Sequence, residues 1–177
     1  MLSGERIVEE LCRSDSGLAI TPLIDAAEQI GEASVDVRLG PDLIVMRRTT
    51  GAMAFDPAND DDFIARTRAA QQYIRRPLGS AAYLHPGEFV IARTLEHVTL
   101  PKDLSAEAIG RSSLGRLGLV IATATLIQPG FQGTITLELT NLASVPIVLY
   151  VGMRIAQLAL YRVEERSQHG GQRQAAI

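Results

Sequence analysis

The segment Thr134-Ile135-Thr136-Leu137-Glu138-Leu139-Thr140-Asn141 decides the fold class. Its apolar side chains, Ile135, Leu137 and Leu139, recur at every second position. That is the period of a strand, whose successive side chains point to opposite faces. One face belongs to a core, and the other carries Thr134, Thr136, Glu138 and Thr140. Outward from this strand the pattern repeats, with strands expected at 89–94, 104–109, 119–127, 134–140, 147–150 and 154–161. His85-Pro86-Gly87, Pro101 with Asp103, and Pro129-Gly130 punctuate them, at intervals of about ten residues. Such spacing predicts a mainly β chain, a sandwich or barrel rather than βαβ units.

The N-terminal half is more mixed. Ser3 is placed to cap a helix over 3–13, with Ile7, Val8 and Leu11 as its apolar stripe. Residues 33–40 alternate as a strand, and 43–46 read as its hairpin partner after the turn formers Gly40 and Pro41. Phe63, Thr67, Ala70 and Ile74 recur at helical spacing over 63–76, with Asp60, Asp61 and Asp62 before them and Arg75, Arg76 and Pro77 at the end. Those charges suit a helix dipole, and the helix is expected to be a solvated surface element without chemistry. Residues 164–177 are polar and Gly/Gln-rich and are expected to form a mobile tail of a single domain spanning 1–177.

Composition narrows the function. With 46 % hydrophobic residues, 5 % aromatics and no Trp, the chain can bury a mostly aliphatic core. Its net charge of −3 argues against a binder of nucleic-acid polymers, which would need a basic excess. A single cysteine, Cys12, excludes an intrachain disulfide and a Cys-rich zinc site, and His85, His97 and His169 are scattered, so no zinc is expected. The first residues carry Glu5, Glu9 and Glu10 before any long apolar run, unlike a signal peptide. The apolar stretch 117–127 is interrupted by Gly118, Thr123 and Thr125 and is too short to cross a bilayer. A soluble cytoplasmic protein without a membrane partner is the expectation.

Two constellations can carry chemistry. Gly110-Arg111-Ser112-Ser113-Leu114-Gly115-Arg116-Leu117-Gly118 combines fixed cations, small hydroxyl donors and glycines that allow close backbone approach. Those are the parts of a phosphate cradle, since Arg pairs bidentately with oxyanions. It is not a P-loop, and an ordinary surface loop carries the same residues. The second is Glu138, an acid among hydroxyls on an otherwise uncharged strand, where a sheltered carboxylate can shuttle protons. An exposed Glu on a half-wetted sheet is the plainer alternative.

Taken in order, Ser34-Val35-Asp36-Val37-Arg38-Leu39-Gly40, Leu84-His85-Pro86-Gly87-Glu88-Phe89, the Gly110 to Gly118 segment, Pro129-Gly130-Phe131 with Glu138 following, and Gly152-Met153-Arg154-Ile155-Ala156-Gln157 resemble the dCTP deaminase family, within the dUTPase-like superfamily. The resemblance spans roughly residues 5–160. It implies a distorted β-barrel or jelly-roll-like protomer with a few short helices, assembled as a homotrimer with sites at subunit interfaces. It implies metal-free deamination of dCTP at C4, giving dUTP and ammonia, with Mg2+ carried on the triphosphate. By the resemblance Glu138 takes a proton from water, aided by Ser112, by the main-chain carbonyl of Ala124 and by Arg116. Arg111, Ser112, Ser113, Leu114, Gly115 and Arg116 match the segment that holds the nucleotide. Thr136 and Leu137 match backbone contacts to base and sugar, and Gln128, Gln157 and Gln172 match further substrate-binding positions.

The chain also departs from the family pattern. Gln128 stands where the family usually has Asp, residues 118–123 are one residue short, and a His common there is absent, with Ala122 nearby. Gln168-His169-Gly170-Gly171-Gln172 replaces a Lys-Tyr-x-Gly-Gln pattern. The readings that follow are a deaminase releasing dUTP, a bifunctional enzyme that also cleaves dUTP to dUMP and pyrophosphate, and a nucleotide-binding regulator without turnover. Gly115 and Phe131 favour the bifunctional branch, Gln128 disfavours it, and the set Ser112, Arg116 and Glu138 disfavours the regulator.

Overall fold

In the computed structural model, which describes residues 1–46, 63–122 and 126–163, the chain opens on α1 (Gly4–Cys12), capped by the Ser3 hydroxyl accepting from the Arg6 N–H. The buried face runs through Gly4, Ile7 and Glu10, one helical turn apart, while Leu11 packs at its margin. Val8, expected in the stripe, sits about 100° round the helix from Ile7 and is exposed. Glu10 can be buried because Arg162 and Arg13 neutralise it.

Then follow β1 (Ala19–Thr21), α2 (Ala26–Gln29), β2 (Val35–Met46), α3 (Phe63–Ala69), β3 (Gln71–Arg75), β4 (Ala81–Leu84), β5 (Phe89–Thr99) and β6 (Leu104–Gly110). After these come α4 (Ser112–Gly115), β7 (Leu119–Ile121), β8 (Leu126–Ile127), β9 (Gln132–Asn141), β10 (Ile147–Tyr150) and β11 (Arg154–Arg162). The main sheet runs β7-β9-β5-β2-β11-β6-β8, with β1 on β5 and β3 on β2, and β10 pairs with β4. Strands β7 and β8 lie at opposite ends of this order yet are close neighbours in the chain, so the sheet curls into a half-barrel. A Cβ added at Gly110, the end of β6, would meet the Ile121 side chain of β7 at 3.6 Å. Leu39, Leu104, Leu137, Leu139, Ile155, Leu158 and Leu160 fill the interior and are fully buried. Each such side chain stabilises the fold by roughly 1.5–3 kcal/mol relative to exposure.

The alternation expected of β9 is present, with Ile135, Leu137 and Leu139 buried and Thr136 exposed. Three expectations are corrected. Residues 33–46 do not form a hairpin, because β2 continues straight through Gly40-Pro41. Gly40 serves close approach instead: a Cβ there would lie 2.7 Å from the Arg93 carbonyl oxygen and 2.9 Å from that of Thr94. The register with β5 shifts between Leu39 and Leu43, where Pro41 has no N–H to donate. Second, the helix expected over 63–76 ends at Ala69, and Gln71–Arg75 pair along β2 instead. Ile74 packs on the core beside Leu43, and Arg75 meets Asp42 at 3.0 Å. Sheet pairing thereby overrides helical spacing. Third, 119–127 is not one strand, since β7 pairs with β9 and β8 with β6. The tail 164–177 lies outside the described residues.

Candidate active site

Glu138 lies half-buried on β9, between Ile91 of β5 and the end of β7. Its backbone oxygen accepts from the Ala122 N–H at 2.8 Å. A cleft of about 300 Å³ opens in front of it, lined by Glu138, Thr136, Thr134, Gln128 and Phe131 over an apolar floor that includes Ile127 and Ile135. Among the described residues, Glu138 is the one ionisable side chain lining this cleft. Gln128 enters from a turn in which the Phe131 N–H donates to the Gln128 carbonyl. Gly130 has φ +81°, which a side chain would strain, and its N–H donates to the Pro101 carbonyl. The cleft wall is fixed by Thr94, whose buried hydroxyl donates to the Glu96 carbonyl and accepts from the Ile135 N–H. That hydroxyl fills the register break between β5 and β9.

A second cluster lies where β2, β11 and β6 run side by side. Gln157 is the register partner of Asp36 on one side and Ile109 on the other. Its side-chain amide donates to Asp36 Oδ1 at 3.1 Å, while Arg111 Nη1 and Arg154 Nη1 stand 3.4 Å and 3.5 Å from Oδ2. Beyond Arg111, the turn of α4 exposes Ser112, Ser113, Gly115 and Arg116 and points Leu114 inward against the core. The loop ends at Gly118, with φ +92°, where a Cβ would sit 2.8 Å from the Ala143 nitrogen.

Asn141 holds the two regions in register from inside. It is fully buried. Its amide nitrogen donates to the Leu84 and Val145 carbonyls at 2.8 Å and 2.9 Å, and its amide oxygen accepts from the Ala143 N–H at 2.8 Å. The turn it organises anchors the 110–118 loop, because the Leu142 N–H donates to the Gly118 carbonyl. Deeper still, Glu96 accepts from the Arg38 backbone N–H at 2.7 Å and the Gln29 amide at 3.1 Å, with the Arg38 guanidinium 3.7 Å away. Burial pushes the Glu96 carboxyl above the usual carboxylate range, opposed in part by these donors.

The structure thus brings Glu138, Thr136 and Gln128 into one cleft and brings Arg111 and Gln157 onto Asp36. Arg111 to Arg116 and Gln157 do not line the Glu138 cleft of their own chain. The Leu137 side chain is wholly in the core. Ala124 and Gln172 lie outside the described residues. The sequence alone points to no role for Asp36. Its signal was a carboxylate between Val35 and Val37 on a strand buried on both faces.

The fold defines the class: the curled half-barrel is that of a dCTP deaminase. It superposes on the crystal structure of 2'-deoxycytidine 5'-triphosphate deaminase from Agrobacterium tumefaciens with a TM-score of 0.68 at 26 % identity, over 92 % of this chain and 48 % of that one. This chain spans about half the length of that structure. The family model for dCTP deaminase-like proteins matches residues 1–163, and the chain belongs to that family. It is 42 % identical to the dCTP deaminase of Halorubrum lacusprofundi over 161 residues, 89 % of this chain and 75 % of the relative. It is 44 % identical to the dUMP-forming dCTP deaminase of Dictyoglomus thermophilum over 147 residues, 82 % of this chain and 73 % of the relative. No described helix is long and apolar enough to cross a membrane.

Proposed function

We propose that this protein is a cytoplasmic enzyme that hydrolyses dCTP at C4, releasing dUTP and ammonia. The observation that carries this reading is the position of Glu138: among the described residues, the one carboxylate at the wall of a largely apolar cleft, in a chain of this family. Water held by Glu138 loses a proton to the carboxylate as its oxygen attacks C4 of the cytosine ring. N3 of the ring takes that proton as the C4–N3 double bond opens; the remaining hydroxyl proton then passes through Glu138 to the amine, C4–N breaks, ammonia leaves and the C4 carbonyl forms. Such acid–base assistance contributes about 10²–10⁴ in rate. The reading gives Ser112 and the Ala124 carbonyl the task of orienting that water, and Arg116 the task of supporting the site. Arg111, Ser113, Leu114, Gly115, Gln157 and Gln172 hold the nucleotide, and Thr136 and Leu137 meet base and sugar through their backbone.

The active unit we infer is a homotrimer. Ser112 and Arg116 are exposed and do not line the cleft of their own chain, which suits a site completed by a second copy. Among the described residues no three His, Cys, Asp or Glu side chains gather as a cation site. Mg2+ enters this reading as the companion of the triphosphate, as the family resemblance implies, with no step assigned to it.

A second reading has support beyond Gly115 and Phe131: relatives at 44 % identity are named dUMP-forming. Cleaving a phosphoanhydride needs a base for the attacking water, and the side chain at the rim of the cleft is the amide of Gln128. Release of dUTP is accordingly favoured. Incubating purified protein with dCTP, CTP or dUTP plus Mg2+, and separating the products by chromatography, tests both readings. Ammonia and dUTP from dCTP are expected. No product from any of the three contradicts the enzyme reading.

A further inference from the structure

Asp36 is a buried charge with more partners than neutralisation requires. Only 6 % of the residue is exposed, and a carboxylate at that depth is retained only when its oxygens are paired. Oδ1 takes the Gln157 amide, and Oδ2 faces both Arg111 and Arg154. Arg154 has a second anchor, because it donates to the Glu28 carbonyl at 2.6 Å and reaches the Glu28 carboxylate at 3.1 Å. Arg111 differs. Among the described residues its ion pair is with Asp36 alone, through Nη1, and its side chain remains 28 % exposed. With no further ion pair engaging it among the described residues, the part-exposed guanidinium has N–H groups that can meet an incoming oxyanion. Arg154, 3.5 Å from the same carboxylate oxygen, neutralises Asp36 from a second side.

We propose that Asp36 is a positioning residue that fixes Arg111 and Gln157, one on each carboxylate oxygen, as a preorganised pair for the anionic nucleotide. The inference rests on the nucleotide reading of that loop given above. Asp36 itself does not touch substrate in this account. Its contribution is to hold long side chains in one geometry before binding, which removes an ordering penalty from association.

The test is steady-state deamination of dCTP by Asp36→Asn and Arg111→Ala, alone and together, beside the unaltered protein. Asp36→Asn keeps an oxygen for Gln157 but loses the charge that holds Arg111. KM is expected to rise about tenfold or more while kcat stays within about threefold. In the Arg111→Ala background the same change should add little, the non-additivity expected when one residue acts through another. Asp36→Glu retains the charge one methylene further out, and an intermediate KM is expected; it also serves if the Asn variant does not fold. An unchanged or lowered KM overturns the proposal, since a lower value is what competition between Asp36 and ligand for Arg111 would give. A fall in kcat at constant KM, or fully multiplicative effects, overturns it as well. If the unaltered protein neither turns over nor binds dCTP in calorimetry, the functional reading and this inference fall together. Turnover with an insensitive Asp36 overturns the inference alone.

Discussion

Replacing Asn141 with Ala removes a hydrogen-bonding hub from the interior. The side chain is wholly buried and makes three hydrogen bonds, to the Leu84 and Val145 carbonyls and from the Ala143 N–H. A typical bond of this kind contributes about 1 kcal/mol net, and a buried group left without a partner costs about 1–3 kcal/mol. Three such bonds give about 3 kcal/mol before any cost of unpaired groups, or a fall in Tm of at least roughly 6–12 °C for a chain of this size. Asn141→Asp sharpens the test. It can still accept from Ala143, but it turns a carboxylate oxygen towards two carbonyls that need donors. At neutral pH it should be less stable than the Ala variant, and it should recover as pH falls and the carboxyl gains a proton. Thermal unfolding followed by circular dichroism, at one fixed protomer concentration, reads the effect. Because the Leu142 N–H anchors Gly118, dCTP turnover should also drop below the new Tm. An Asn141→Ala protein within about 0.5 kcal/mol of the parent, the range of an inert surface change, would refute the assigned role.

Light scattering should find a trimer, and a stable monomer with full turnover would contradict the interfacial site. Gln128→Asp should keep deamination and gain some pyrophosphate release from dUTP, measured by coupled phosphate assay; stoichiometric pyrophosphate from the unaltered protein would instead place it with the dUMP-forming enzymes. Glu96 has its carboxyl raised by burial, so the folded state holds that proton more tightly than the unfolded chain. Its stabilising contribution is complete below the ordinary carboxylate pKa and declines as pH rises through the raised value. Tm measured against pH should therefore fall more steeply from pH ~4.5 upward for the parent than for Glu96→Gln, and parallel curves would refute this.

Fold class was legible because β6, β9, β10 and β11 each follow a strand pattern bounded by Gly or Pro. The misread elements share a cause, namely contacts distant in sequence. Gly40 looks like a turn residue locally, but its lack of a Cβ is used by the β5 backbone passing 2.7 Å away. Residues 71–75 carry helical spacing, yet the open edge of β2 takes them as a strand. Glu138 stood out as an acid on an alternating strand, and the cleft before it needed only that strand and the Gln128 turn. Asp36 did not, because its meaning lies in Arg111 and Gln157, which meet it only through the pairing of β2 with β11 and of β11 with β6. Likewise nothing local marks Asn141 as the hub joining β4, β9 and the 142–145 turn.

The central claim is that Glu138 moves the proton in dCTP hydrolysis, and Glu138→Gln tests it most directly. The amide keeps the shape and hydrogen-bonding reach of the carboxylate but cannot accept a proton from water. Ammonia release from dCTP and nucleotide affinity by calorimetry, measured on the same preparation, separate chemistry from binding. Turnover should fall by about 10²–10⁴ or more, with dCTP affinity largely retained. Near-normal turnover in the Gln variant would contradict the claim.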